Sequence, residues 1–234
     1  MSSIYVQVPA FEEPEVHDTL RRIKEQAPAA PGTVTVEAWV TRSEDESGVC
    51  STWQSAQSVP GVGVFEAPSG KLSARNAAHN HALSSGADVI VSWDADAPPV
   101  GGSVLSAVAE PALRPGVSLV NSRPVASDGS ILGSLIDAGG RAEDVLRPHA
   151  HGQCHAFPAS TWEQVGPFNE ALDQTNPYAV RQEEEFRFYT EARAIGEVVT
   201  ADDATVFNDP RRHYCYLPGM EDDDYCVTLG EDTF

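Results

Sequence analysis

Two carboxylates one residue apart, Asp94 and Asp96, follow the apolar run Val89-Ile-Val91 and precede Pro98-Pro99. A run of that length reads as a buried parallel strand, and the prolines forbid its regular continuation. Ligand sites in open α/β sheets lie beyond the carboxyl ends of such strands. Two carboxylates crowded there need a counter-charge, and a hard divalent cation with oxygen ligands provides one. This pattern points to an enzyme that handles a metal-bound phosphate. A solvated turn is the plainer alternative, because Asp is common where strands end.

Three further groups could carry chemistry. Lys71 and Arg75, in Gly70-Lys-Leu-Ser-Ala-Arg-Asn76, are four residues apart and share one helix face. They stand at a helix opening, where free N–H groups also attract anions; a surface ion-pair role fits the same spacing. Glu183, Glu184 and Glu185 open a later helix. There they either complement the helix dipole or supply a general base toward an acceptor hydroxyl. His149, His151, Cys154 and His155 cluster in Pro148-His-Ala-His-Gly-Gln-Cys-His155. No second ligand pair at zinc-finger spacing follows, so an acceptor-site or loop role is expected in place of zinc. His213 stands alone as a candidate metal ligand or surface histidine.

The elements that must position these groups alternate. Ile4–Val8, Thr33–Val40, Val62–Phe65 and Asp88–Trp93 read as strands; Glu15–Gln26 and Leu72–Leu83 read as helices. Strands alternating with helices imply βαβ units and a mainly parallel sheet. Beyond it, Val104–Leu113 reads as a helix interrupted near Pro111, and Val117–Asn121 as a strand. Ser122–Gly140 reads as loop, and Ala156-Phe157 precedes a short helix around Trp162. Ala179–Ile195 reads as a helix, and Glu197–Thr200 and Ala204–Phe207 as two closing strands. One domain over residues 1–217 and an acidic tail over 218–234 are expected, with no internal repeat.

Composition narrows the class. The 234 residues include 35 acidic and 15 basic side chains, for a net charge of −20. Only Lys24 and Lys71 are lysines. No basic footprint for nucleic acid exists. Dispersed acidity with so little lysine fits a high-salt cytoplasm, where at ~1 M salt the screening length falls to about 3 Å. Four cysteines without CxxC spacing fit a reducing cytosol. No run approaches the roughly 18 apolar residues of a membrane span; peripheral contact with a membrane at its inner face remains compatible.

In order and spacing, residues 4–210 resemble the family 2 glycosyltransferases of GT-A fold. The first strand of that family ends in Pro-x-aromatic-Asn-Glu, matched by Pro9-Ala-Phe-Glu-Glu13. A Gly-Lys-x-x-Ala-Arg-Asn segment matches Gly70–Asn76, the Asp-x-Asp matches Asp94-Ala-Asp96, and a Gly-x-Phe-x-Glu segment matches Gly166–Glu170. The acidic helix start of the family resembles Gln182-Glu-Glu-Glu-Phe186. Departures are Glu12 for the usual asparagine, Val40-Thr-Arg-Ser-Glu-Asp45 for the usual Asp-Asp-Gly-Ser-x-Asp, and no Asp in the base motif.

The resemblance implies a nucleotide-diphosphate-sugar fold, a mainly parallel sheet flanked by helices. It implies metal-dependent sugar transfer to a hydroxyl of a glycan or lipid-linked acceptor, with inversion. Pro9, Ala10, Phe11 and Glu13 would line the nucleobase, Lys71 and Arg75 the base and diphosphate, and Asp94 the ribose or metal. Asp96 would bind Mg²⁺ or Mn²⁺, with Asn208 or His213 completing the site, and Glu183 or Glu184 would be the base. If neither glutamate reaches the acceptor, retention follows. Two rivals stand beside this. A nucleotidyltransferase would show a glycine-rich loop after strand one, and Pro9–Glu13 has no glycine. A degenerate domain that binds a sugar nucleotide or a partner without turnover is compatible with the altered second-strand motif.

Overall fold

The computed structural model describes residues 1–42, 48–125, 152–174, 180 and 182–207. Among these residues eight strands form one sheet: β1 (Ser2–Ala10), β2 (Gly32–Val40), β3 (Gly63–Glu66), β4 (Val89–Trp93), β5 (Pro99–Val100), β6 (Val117–Val125), β7 (Cys154–Pro158) and β8 (Glu197–Phe207). Their order is β3-β2-β1-β4-β7-β6-β8-β5. β3, β2, β1 and β4 are mutually parallel, β6 and β8 pair in parallel, and β7 runs antiparallel between β4 and β6. The α/β class and mainly parallel sheet expected from the sequence are found.

Helices cover both faces. On one side α1 (Val16–Gln26) turns Val16, Leu20 and Ile23, all 0% exposed, onto Ile4, Val6 and Val8 of β1. That i, i+4, i+7 spacing is one helical stripe, and each such burial contributes about 1.5–3 kcal/mol. α4 (Val104–Ala112) joins the same core and tolerates Pro111 in its last turn. α2 (Ser51–Gln57), which periodicity does not reveal, packs on α1. On the other side lie α3 (Lys71–Ser84), α5 (Ala159–Val165), and α6 (Phe188–Ile195), the last entered through a π-helical turn, Gln182–Arg187. Their core holds Leu72, Ile90, Phe157, Trp162, Phe168 and Phe188.

Beneath α3 one register row is polar across five strands: Glu37, Gln7, Ser92, His155 and Asn121 are paired neighbours and all buried. Gln7 Nε2 donates to Glu37 Oε2 at 2.9 Å. The row lies two residues before Asp94, directly under the end of β4.

Three expectations change. The two closing strands are one, β8, whose ladder with β6 slips between Asn121↔Thr200 and Arg123↔Thr205. The polar residues Asp202 and Asp203 bulge there, which is why the sequence reads as a break. Residues 122–125, expected as loop, extend β6. The helix expected over 179–195 is helical at Val180 but carries a π turn, Gln182–Arg187, ahead of α6. Asp45, His149, His151, Asn208, His213 and the 218–234 tail lie outside the described residues.

Candidate functional site

The carboxyl ends of β1, β2 and β4 and the start of α3 enclose one cleft of about 450 Å³. Its walls are Pro9, Ala10, Phe11 and Glu13 after β1, and Thr41 after β2. Ser69, Gly70, Lys71 and Ala74 come from the α3 start, and Asp94, Ala95 and Asp96 follow β4. Of the predicted ligand-binding residues, Pro9, Ala10, Phe11, Glu13, Lys71, Asp94 and Asp96 therefore meet in a single space; Arg75 does not line it, and Asn208 and His213 lie outside the described residues. Phe11 is 54% exposed there, an apolar ring presented to the opening.

The two carboxylates are placed by a tight turn. Trp93 is fully buried and its Nε1 donates to Ala97 O at 2.6 Å, while Ala97 N donates to Asp94 O at 3.3 Å. Asp94 N donates to Gln153 O at 2.8 Å, tying the turn to the segment before β7. Asp94 is buried and Asp96 half-buried, and both line the cleft. Among the described residues no group of three or more His, Cys, Asp or Glu is poised for a metal. Two carboxylates facing a cleft suit Mg²⁺ or Mn²⁺, which take one or two carboxylates and fill the remaining positions with phosphate oxygens and water. The donor set thus fits an ion that arrives with a diphosphate.

Helix α3 starts differently from expectation. Gly70 has φ +109°, and a Cβ there would lie 2.3 Å from Asp173 Oδ2, so glycine is required on both counts. The Asp173 carboxylate accepts from Leu72 N (2.8 Å), Ser73 N (2.9 Å) and Ser73 Oγ (2.7 Å). The free N–H groups expected to hold an anion are already capped, from a residue 101 positions away in sequence. The cationic contribution at the cleft is therefore Lys71.

Lys71 Nζ lies 3.0 Å from Glu184 Oε2 and 3.8 Å from Asp94 Oδ1, with its side chain 43% exposed. Desolvation works against its charge, but Asp94 and Glu184 outweigh that and hold it above the ordinary lysine range. Arg75, one turn on, is 0% exposed and does not reach the cleft. Its Nη2 donates to Asp94 Oδ1 at 2.5 Å and to Gly152 O at 3.1 Å, its Nη1 to Ser92 Oγ, and its Nε faces Glu184 Oε1 in an ion pair. The resemblance implies Arg75 near the base and the diphosphate; the structure buries it beneath the cleft floor.

The glutamates divide. Glu184 is 1% exposed and joins Lys71 and Arg75. Glu183 points elsewhere: its Oε1 accepts from Arg187 Nε at 2.7 Å and from Asn169 N at 2.9 Å. Arg187 also donates to Val165 O and Pro167 O, so Glu183 and Arg187 brace the Gly166–Glu170 segment. Asn76 holds the same segment through Phe168 N, Phe168 O and Glu170 Oε1. Gly166 is needed because a Cβ would sit 2.8 Å from the Trp162 ring. Two of the motifs read in the sequence are thus parts of one scaffold that fixes α3.

Cys154 and His155 are strand residues at the sheet centre, where a loop or acceptor-site role was expected. Burial pushes the Cys154 thiol well above its usual range, which leaves it a neutral core residue. His155 packs on Phe157 and Phe188. Sequence reasoning misses Asp173, Ser92 and the Gly152 carbonyl. One aspartate among 35 acidic residues, one serine and one backbone oxygen carry no spacing signal.

No protein-family model matches the chain, and no curated protein matches it. Solved structures do. The mannosyltransferase PcManGT from Pyrobaculum calidifontis, in complex with GDP-Man and Mn²⁺, aligns with TM-score 0.57 and 20% identity over 90% of this chain. The chain spans 58% of the length of that protein. Glucosyl-3-phosphoglycerate synthase from Mycobacterium tuberculosis, in complex with Mn²⁺, UDP and phosphoglyceric acid, aligns with TM-score 0.54 and 16% identity, covering 89% of this chain and 72% of that one. Mannosyl-3-phosphoglycerate synthase from Rubrobacter xylanophilus gives 0.53 and 19%, covering 90% and 68%. The likeness is one of fold: the sheet and its flanking helices have the GT-A architecture. No helix among the described residues is long and apolar enough to cross a membrane.

Proposed function

We propose that this chain transfers a sugar from a nucleotide-diphosphate sugar to an acceptor hydroxyl, with a divalent cation. The observation that carries this reading is the convergence of the Pro9–Glu13 loop, Lys71 and the Asp94–Asp96 turn on one cleft. Structures of the same fold hold GDP-Man or UDP together with Mn²⁺, which supports it.

In this reading the roles run along the cleft. Phe11 and Pro9 offer an apolar face for a nucleobase, and Thr41 stands where the usual acidic pair after the second strand would be. Lys71 Nζ donates to the diphosphate. Asp94 and Asp96 would hold Mg²⁺ or Mn²⁺, which when bound neutralises the leaving diphosphate. Lys71 adds charge stabilisation at the same leaving group as the glycosidic bond breaks. Carboxylates outnumber cations around this floor, so a diphosphate without its counter-ion would be repelled.

Neither glutamate presents an uncommitted carboxylate to an acceptor. Glu184 is enclosed by two cations, and Glu183 is spent on Arg187 and Asn169. That geometry favours retention, with leaving-group stabilisation doing the main work, over inversion through a glutamate base. The proposed acceptor is a hydroxyl of a glycan or of a lipid-linked alcohol.

The test is turnover. Wild-type protein incubated with GDP- and UDP-hexoses, Mn²⁺ and an acceptor set in concentrated KCl should release nucleoside diphosphate. The anomeric ¹H coupling of the product then decides between retention and inversion. Release of pyrophosphate would instead identify a nucleotidyltransferase. Donor binding without turnover on any acceptor would identify a binding domain.

A further inference from the structure

Arg75 spends every side of its guanidinium beneath the cleft. Its partners come from three separate segments: Ser92 and Asp94 at the end of β4 and in the turn after it, Gly152 before β7, and Glu184 in the π turn before α6. Arginine suits this position because its planar fork of donors can satisfy several acceptors at fixed angles, which a single ammonium cannot. The side chain has no exposed surface, so a donor in the cleft meets Asp94 and Lys71 and not Arg75.

We propose that Arg75 is a positioning residue: it fixes the Asp94 and Glu184 carboxylates before any ligand arrives, and through Asp94 it sets the affinity for the divalent cation. This rests on the metal-dependent reading above for its second half only. Asp94 uses Oδ1 toward Arg75 and Lys71, which orients the carboxylate about its own axis. Glu184 is paired with the same two cations and does not line the cleft, whereas Asp94 and Asp96 line it at the end of β4, with Glu13 on the opposite loop after β1. Lys71, half exposed, is the cation that can exchange a carboxylate partner for phosphate.

Two measurements on the full chain test this. In urea unfolding, Arg75→Met should lower the midpoint, because it strands two buried carboxylates. The triple variant Arg75→Met/Asp94→Asn/Glu184→Gln should recover at least half of that loss. If the triple is no more stable than Arg75→Met, Arg75 does not act on those carboxylates and the proposal is overturned, whatever the protein binds. In the second, Mn²⁺ alone is titrated by electron paramagnetic resonance. Arg75→Lys, if folded by circular dichroism, should weaken Mn²⁺ binding by about 10–100-fold, the range for residues that orient metal ligands. GDP and UDP binding at saturating Mn²⁺ should stay unchanged in Arg75→Lys and fall in Lys71→Met. Loss of nucleotide binding in Arg75→Lys at saturating Mn²⁺ would make Arg75 a direct donor ligand and overturn the assignment. A wild-type protein that binds neither Mn²⁺ nor nucleotide would remove the proposed function and the metal half of this inference, while the unfolding series still scores the positioning.

Discussion

His79 should make the protein sensitive to mild acid. Its ring is fully buried, with neither Nδ1 nor Nε2 hydrogen-bonded. Trp162, Phe157 and Phe168 surround it, with ring centroids at 4.6, 5.4 and 6.2 Å. Burial first, then the charge of Arg75 and the proximity of His155, hold its pKa well below the ordinary histidine value. The native ring therefore stays neutral while the unfolded chain takes up a proton below about pH 6.5. More protons bound to the unfolded state means stability rises with pH and falls on acidification. The contribution is fully present above about pH 6.5 and is lost as the pH falls through the depressed native pKa, by at most about 1.4 kcal/mol per pH unit and so by up to about 2 kcal/mol at pH 5. The perturbation is His79→Leu, of similar size and unable to titrate. Urea unfolding followed by tryptophan fluorescence, at constant ionic strength from pH 8 to pH 5, should show the variant near wild type at pH 8. Removing two unpartnered nitrogens offsets the altered packing there. At pH 5 the variant should lead, by up to about 2 kcal/mol. Equal pH slopes in the two proteins would mean that His79 is protonated or partnered in the native state, and the reasoning would fail.

Other perturbations follow from the site scaffold. Asp173→Ala removes three hydrogen bonds from the start of α3 and should cost about 1–2 kcal/mol in urea unfolding, with Asp173→Asn costing less. Glu12 holds φ +53° in the loop after β1, a conformation asparagine tolerates better. Glu12→Asn should therefore raise stability by about 0.5–1 kcal/mol, read from the same assay; a loss would show that the glutamate side chain outweighs its backbone strain. Gly166→Ala should destabilise by about 1–3 kcal/mol, because its methyl meets the Trp162 ring, and differential scanning calorimetry would show the drop.

Much of the site is legible in the chain because its chemistry sits where local patterns end. Val89–Trp93 is apolar enough to declare a strand, and Asp94 and Asp96 stand at its carboxyl end in reading order. Gly70, Lys71 and Arg75 share one helix start, so their clustering needs no tertiary knowledge. What the pattern cannot supply is direction in three dimensions. Arg75 and Lys71 are both cations on α3, yet one lies inside and the other at the rim, because Arg75 docks on the polar row at Ser92. Glu183 and Glu184 are adjacent and alike, and a π turn sends them to different partners. Asp173 and Gly152 enter from remote segments and carry no local mark. Cys154 and His155 look like ligands in a polar stretch and are core residues, because β7 inserts antiparallel at the middle of the sheet.

The central claim is that a sugar nucleotide and a divalent ion occupy the cleft together, at Asp94 and Asp96. Isothermal titration calorimetry of wild type and Asp96→Ala with GDP- and UDP-sugars, each with Mn²⁺ and with EDTA, addresses it most directly. One donor should bind the wild type with Mn²⁺ and lose most of its affinity in EDTA or in Asp96→Ala. Binding that ignores both the metal and Asp96, or no binding by a folded wild type, would contradict the account.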